Sequence, residues 1–192
     1  MRCFSCSKLS LPILCKTCIS RLFLPSMSTR KVGTLDVISF FKYSDIERLL
    51  HSKHKPEGYR IYKALADMTM KPFIEEFVES DDRDVYIVGI DEYVKSGYAH
   101  VALLTRAMKT QYSIPQHSAL MAKNRVNYSG KSLQFRLENP RDFLYTGKSN
   151  IDVILVDDII TTGITLQEAQ KVLMAHGVNV LFALTLADVE ES

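Results

Sequence analysis

The sequence predicts an α/β fold: a parallel sheet flanked by helices, with a small cysteine-bearing module in front of it. Two nearly continuous apolar runs, "DVYIVGI" (Asp84–Ile90) and "IDVILVDD" (residues 151–158), read as strands of a sheet covered on both faces. Strand-like and helix-like stretches alternate along the chain, the pattern of parallel sheets with crossover helices. All four cysteines lie within the first 18 residues, ahead of that alternation. The length of 192 residues suits one domain of ordinary size and a small appendage. We therefore expect a module and linker over residues 1–30 and an α/β domain over 31–192.

In order, "LDVISFFKYS" reads as a strand, with β-branched and aromatic residues from Val37 to Tyr43. Asp45 is placed to cap a short helix holding Ile46, Leu49 and Leu50. Lys53, His54 and Lys55 form a basic turn before Pro56 and Gly58. Ile61, Leu65 and Met68 fall at helical spacing, and Pro72 suits the first turn of a further helix. After the strand over Asp84–Ile90, "DEYVKSG" is a loop. "YAHVALLTRAMK" is a helix with Val101, Leu104 and Met108 turned inward, and "SALMA" a short strand. Residues 123–149 show no clear periodicity. "TLQEAQKVLMAHG" is a helix stopped at Gly177, and "VNVLFALTLA" is the last strand.

The cysteines are spaced C-x2-C, eight residues, C-x2-C: Cys3, Cys6, Cys15 and Cys18. Two such knuckles supply four thiolates to one tetrahedral ion, and zinc suits them best. So short a segment cannot build a core of its own, so the metal would supply folding energy. Two disulfides or a redox CxxC are the other readings. Without an export signal and without a thioredoxin-like strand beside the motif, both fit less well. With four ligands the zinc would be structural.

Charge is unevenly spread. Residues 1–63 hold 12 Lys and Arg against 4 Asp and Glu, and the rest of the chain holds 12 against 18. A basic half facing an acidic partner points first to nucleic acid, with Lys42, Lys53, His54, Lys55 and Arg60 as candidate phosphate contacts. A solvated basic face is the plainer reading. No apolar run reaches the length of about 18–20 residues that crosses a bilayer, so a cytoplasmic protein is expected.

"VILVDDIITTGIT", Val153–Thr165, carries the chemistry. A strand ends in two carboxylates, which accept hydrogen bonds from sugar hydroxyls or bind a hydrated cation. The hydroxyl-rich turn that follows leads into a helix whose N-terminus suits an anion, and Gly163 permits close backbone approach. Acceptors beside an anion cradle describe a site for a ribose 5-phosphate. The same string also suits a plain turn with a threonine cap. It is not a P-loop, because the spacing and lysine of that motif are absent.

The complete string closely resembles the phosphoribosyl pyrophosphate (PRPP) signature of type I phosphoribosyltransferases. That resemblance implies ribose hydroxyls at Asp157 and Asp158, and the 5-phosphate within Ile160, Thr161, Thr162, Gly163, Ile164 and Thr165. It also implies magnesium bound with the ligand. Taken with the cysteine module, nearly the whole chain resembles the ComF family of competence proteins. "SGYAHVALLTRAM" and "RLENPRDF", with Arg136, Asn139 and Phe143, correspond to that family's middle signatures. Two positions depart from it: Ser96 stands where arginine is usual, and Ala99 and His100 replace an Asn-Gln pair. Lys95 is the adjacent cation expected to cover part of the lost charge. His100, on an amphipathic helix, is expected to take a packing or surface role rather than react.

The resemblance implies a competence protein of natural transformation. It would handle incoming single-stranded DNA in the cytoplasm, at the inner face of the membrane, with DNA-uptake or recombination proteins as partners. An active phosphoribosyltransferase of nucleotide salvage, or a PRPP-responsive regulator, are the alternatives.

Overall fold

The computed structural model describes residues 1–79, 83–90, 98–124, 126, 128 and 132–189. Among these, α1 spans Lys16–Leu22, β1 Ser28–Val32, β2 Leu35–Lys42 and α2 Tyr43–Leu50. A 3-10 helix at His51–His54 leads to α3 (Gly58–Met68) and α4 (Met70–Glu79). Then come β3 (Val85–Gly89), α5 (His100–Ala107), β4 (Ser113–Pro115) and β5 (Leu120–Ala122). They are followed by α6 (Leu133–Glu138), β6 (Phe143–Tyr145), β7 (Asp152–Ile160), α7 (Ile164–Ala175) and β8 (Asn179–Asp188).

The main sheet has six strands in the order β1-β2-β8-β7-β3-β4. All its neighbours are parallel except β1, which folds back on β2 as an antiparallel edge. The expected parallel sheet flanked by helices is present. Alternation along β7 divides the core. Ile154 and Val156 face a cluster built from α2, α3, α4 and α5, with Ile46, Leu49, Ile61, Tyr62, Leu65 and Leu104. Val153 and Leu155 face the other side, against Leu166, Ala169 and Leu173 of α7 and the small β5–β6 pair. Residues two apart on a strand share a face, so a strand that is apolar throughout must be covered twice.

Several local expectations are refined. Asp45 lies in the first turn of α2, and Lys42 is the residue that precedes it. A carboxylate there still favours the helix through its dipole. The segment read as linker runs into β1, with the turn at Gly33 closing a hairpin to β2. β1 therefore crosses the boundary expected at residue 30. The stretch 123–149, which lacks a period, holds α6 and β6. The loop "DEYVKSG", with Lys95 and Ser96, lies outside the described residues.

The cysteine module is packed onto the domain. Cys3, Leu14, Cys18 and Phe23 are buried in the same cluster as Phe41, Leu49 and Tyr62. Arg48 of α2 lies over the Phe4 ring, 6.0 Å from its centroid.

Candidate functional site

The site forms where β7 outruns β3. The last β3 residue, Gly89, pairs with Val156, and Ile90 N–H donates to the Val156 carbonyl at 2.8 Å. β7 continues beside β8, pairing Asp157 with Thr185 and Ile160 with Asp188. Both acids therefore stand at the carboxyl edge of the sheet as β3 sees it, the place where open α/β sheets take ligands. Asp157 is 8% exposed and Asp158 4%.

Consecutive residues of a strand point to opposite faces, and the two acids divide accordingly. Asp157 lines a small depression together with Ile159, Ile160, Thr161, Thr162, Gly163, Thr165 and Leu166. Its Oδ1 accepts the Asp158 N–H at 2.8 Å. Gly163 has φ +78°, and a Cβ there would run into Val32 of β1. Glycine alone meets both demands without strain. α7 starts at Ile164, so the turn presents a helix N-terminus toward the depression. Of the residues expected in the phosphate loop, Ile160, Thr161, Thr162, Gly163 and Thr165 border the depression with Asp157; Ile164 opens the helix. A wider depression lies at the amino ends of β3, β7 and β8, around Tyr86, Asp152 and Asn179, away from both acids.

Asp158 turns to the other face. Its Oδ2 receives Lys53 Nζ at 3.0 Å from the 3-10 helix and the Tyr62 hydroxyl at 3.0 Å from α3; His100 Nε2 of α5 lies 3.3 Å away. Burial works against ionisation. The His100 hydrogen bond and the charges of Lys53 and His100 outweigh it and hold the Asp158 carboxyl far below the usual carboxylate range. His100 is 5% exposed, and its ring meets Tyr62 edge-on at 5.3 Å and His54 at 6.5 Å. The sequence expectation of a packing or surface role for His100 misses this ion pair. Spacing along α5 shows only that the side chain points inward; its partner comes from a strand 58 positions later in the chain.

Two arginines outside the expected site also reach the loop. Arg30 of β1 donates to the Thr161 carbonyl at 2.5 Å and pairs with Asp188 at 3.2 Å. Arg136 of α6 donates to the Thr161 hydroxyl at 2.5 Å and to the Tyr128 carbonyl at 3.1 Å. Glu168 of α7 accepts the Arg141 and Asp142 N–H groups at 3.1 and 2.7 Å, fixing the segment after α6 to the same helix. The "RLENPRDF" stretch signalled Arg136 without giving its place; nothing in the sequence pattern signalled Arg30. Among the candidate phosphate contacts, Lys42, His54, Lys55 and Arg60 are exposed, whereas Lys53 is turned in to Asp158.

The four cysteines form one cluster that could hold a metal. The Sγ atoms of Cys3, Cys6, Cys15 and Cys18 all lie within 4.8 Å of one another. Cys3 and Cys18 are 3.9 Å apart and Cys6 and Cys15 3.7 Å, and none is in a disulfide. A tetrahedron with zinc–sulfur bonds of about 2.3 Å has edges of about 3.8 Å. The four cysteines can therefore hold a metal such as zinc. Burial pushes the Cys3 thiol up, but N–H groups of Cys6, Cys15 and Ser5 bring it down to about 6. At Cys18 a hydrogen bond with the Ser5 side chain lowers the thiol, while burial and hydrogen bonds with Cys15, Cys6 and Cys3 push it up to about 12. Binding a metal must displace such protons, so affinity rises with pH.

No protein-family model matches the chain, and no curated protein matches it in sequence. Among solved structures it is similar to a hypoxanthine phosphoribosyltransferase from Staphylococcus aureus, with 18% identity, TM-score 0.41, and coverage of 66% of this chain and 64% of that one. It thus spans a little under two thirds of that protein's length. It is also similar to an adenine phosphoribosyltransferase, with 16% identity, TM-score 0.42 and coverage of 85% of each chain. The adenine phosphoribosyltransferase of Saccharomyces cerevisiae gives 17% identity, TM-score 0.40, and coverage of 85% of this chain and 83% of that one. The fold itself stands on the strand order above, and the reading of the site on its own residues.

Proposed function

We propose that the chain binds phosphoribosyl pyrophosphate at the carboxyl edge of β7 and acts as a competence protein that handles incoming single-stranded DNA. The observation that carries the ligand assignment is the shared depression of Asp157 and the Thr161–Thr165 turn. It sets a carboxylate acceptor beside a cradle of N–H groups, hydroxyls and a helix N-terminus. In this reading Asp157 and Asp158 take ribose hydroxyls, and residues 160–165 take the 5-phosphate. Magnesium would enter with the ligand, where the carboxylates of Asp157 and Asp158 would face it, and would supply charge neutralisation. Lys95 belongs to the same proposal, and zinc to the four cysteines. Calorimetric titration with magnesium and PRPP tests it. Binding is expected in the wild type and a loss of about tenfold or more in Asp157→Asn, as for other charge-assisted hydrogen bonds to a ligand. A wild-type protein that takes up no PRPP at any magnesium concentration overturns it.

The DNA assignment rests on the ComF resemblance and on the exposed cations Lys42, Lys55 and Arg60 of the basic N-terminal half. Affinity for an oligonucleotide should fall steeply with salt, and a Lys42→Ala/Lys55→Ala variant should bind more weakly with a shallower salt slope. DNA-uptake or recombination proteins at the inner face of the cytoplasmic membrane are the proposed partners. Among the described residues no helix is long and apolar enough to cross a membrane. Release of pyrophosphate from PRPP in the presence of a base would shift the reading to an active transferase.

A further inference from the structure

Lys53 stands apart from the cations around it. Lys42, Lys55 and Arg60 are exposed, whereas the Lys53 side chain is 23% exposed and its ammonium sits 3.0 Å from the 5%-exposed Asp158 side chain. Local structure forces this placement. The buried Ser52 hydroxyl donates to the Leu49 carbonyl at 2.5 Å, and the Lys55 N–H returns to the Ser52 carbonyl at 2.8 Å. Gly58 lies so close to the Ser52 carbonyl and the Tyr98 hydroxyl that any Cβ there would collide with both. Tyr59 meets the Tyr98 ring edge-on at 5.9 Å. The 3-10 helix is therefore wedged between α2, α3 and the residue that leads into α5, and Lys53 has its direction fixed.

The charge of Lys53 extends beyond Asp158. Burial pushes the Tyr98 hydroxyl above its ordinary value, and Lys53 opposes that shift. An ammonium carries three donors on a flexible stem, so one group can hold a carboxylate and meet a second anion. A pyrophosphorylated sugar brings several negative charges to a strand end that already carries two carboxylates. The Thr161–Thr165 turn answers one phosphate on the Asp157 face. Lys53 brings positive charge to the Asp158 face of the same strand end.

We infer that Lys53 is a ligand-contacting, specificity-determining residue of the β7 site: its ammonium holds Asp158 and meets the pyrophosphate of a phosphoribosyl pyrophosphate ligand, and it is not part of the nucleic-acid face. This rests on the phosphoribosyl reading of the site. Its test is a comparison of two probes, PRPP and ribose 5-phosphate, titrated with magnesium into the full-length zinc-loaded protein. The variants are Lys53→Met, Lys53→Arg, and Lys71→Met as a surface control on α4.

Lys53→Met should weaken both probes through the loosened Asp158, and PRPP about tenfold or more beyond ribose 5-phosphate, because only PRPP carries the pyrophosphate. Lys53→Arg should recover part of the loss, and Lys71→Met should leave the ratio of the two affinities at its wild-type value. If Lys53→Met weakens both probes equally, or leaves both unchanged, Lys53 makes no pyrophosphate contact and the inference fails while the site reading stands. If the wild type binds neither probe, the site reading fails and takes this inference with it. Should Lys53→Met not fold, the Lys53→Arg and Lys53→Gln affinity ratios decide in the same way.

Discussion

Asp158 shows how one buried carboxylate can hold three elements together. It joins the 3-10 helix, α3 and α5 to β7 through Lys53, Tyr62 and His100. Its folded pKa lies below the unfolded value, so the ionised form is the one stabilised by folding. That stability is fully present above the unfolded carboxylate range near about pH 4 and is lost as pH falls toward the folded value. Urea melts from pH 7 to pH 3 should show a fall in stability at the acid end that is absent in Asp158→Asn. At neutral pH that variant should be less stable by about 3–5 kcal/mol, because it removes the buried negative charge that Lys53 and His100 meet. An unchanged acid limb would place the pH dependence elsewhere. None of this was legible in sequence. The pair "DD" announces acceptors, but alternation alone says only that two neighbours face apart, not which donors await each.

The loop between β7 and α7 depends on an element that sequence reading took for a linker. β1 lies along the edge of the sheet, puts Val32 against Gly163 and sends Arg30 to the Thr161 carbonyl. Gly163→Ala should cost about 1–3 kcal/mol, from left-handed backbone strain and the collision with Val32, with the proposed sugar-phosphate binding lost alongside. A Gly163→Ala/Val32→Ala pair should recover part of that stability but little of the binding, since only the collision is relieved; chemical denaturation and calorimetry separate the two. The long elements were readable: β3, β7, β8, α5 and α7 follow from apolar runs and helical spacing. The short ones were not. β4, β6 and α6 have three to six residues each, too few for a period to emerge. The two arginines that meet at Thr161 come from β1 and α6, over 100 residues apart in the chain. Their meeting is a property of topology, which pattern does not encode.

In the molecule as a whole the cysteine cluster is continuous with the core of the α/β domain. Leu14 is fully buried, and Cys3, Cys18 and Phe23 share a cluster with Phe41, Leu49 and Tyr62. The cysteine spacing was enough to find the cluster; that it sits against α2 and the main core was not, because the contact is made by the apolar residues between the cysteines. A chelator should therefore lower the midpoint of a single unfolding transition followed both by tyrosine fluorescence and by far-UV circular dichroism. Two separated transitions would mean that the module melts alone. Cys18→Ser should reproduce the effect of the chelator and be insensitive to it.

In the proposed zinc-loaded protein the shared core gives the metal a second meaning, as a term in the chemical potential that sets how much of the protein is folded. Once free metal exceeds its dissociation constant, each tenfold drop in supply removes about 1.4 kcal/mol from the folding free energy of the entire chain. Starvation for the ion would then thin the population of intact β7 sites without any signal acting on those sites themselves.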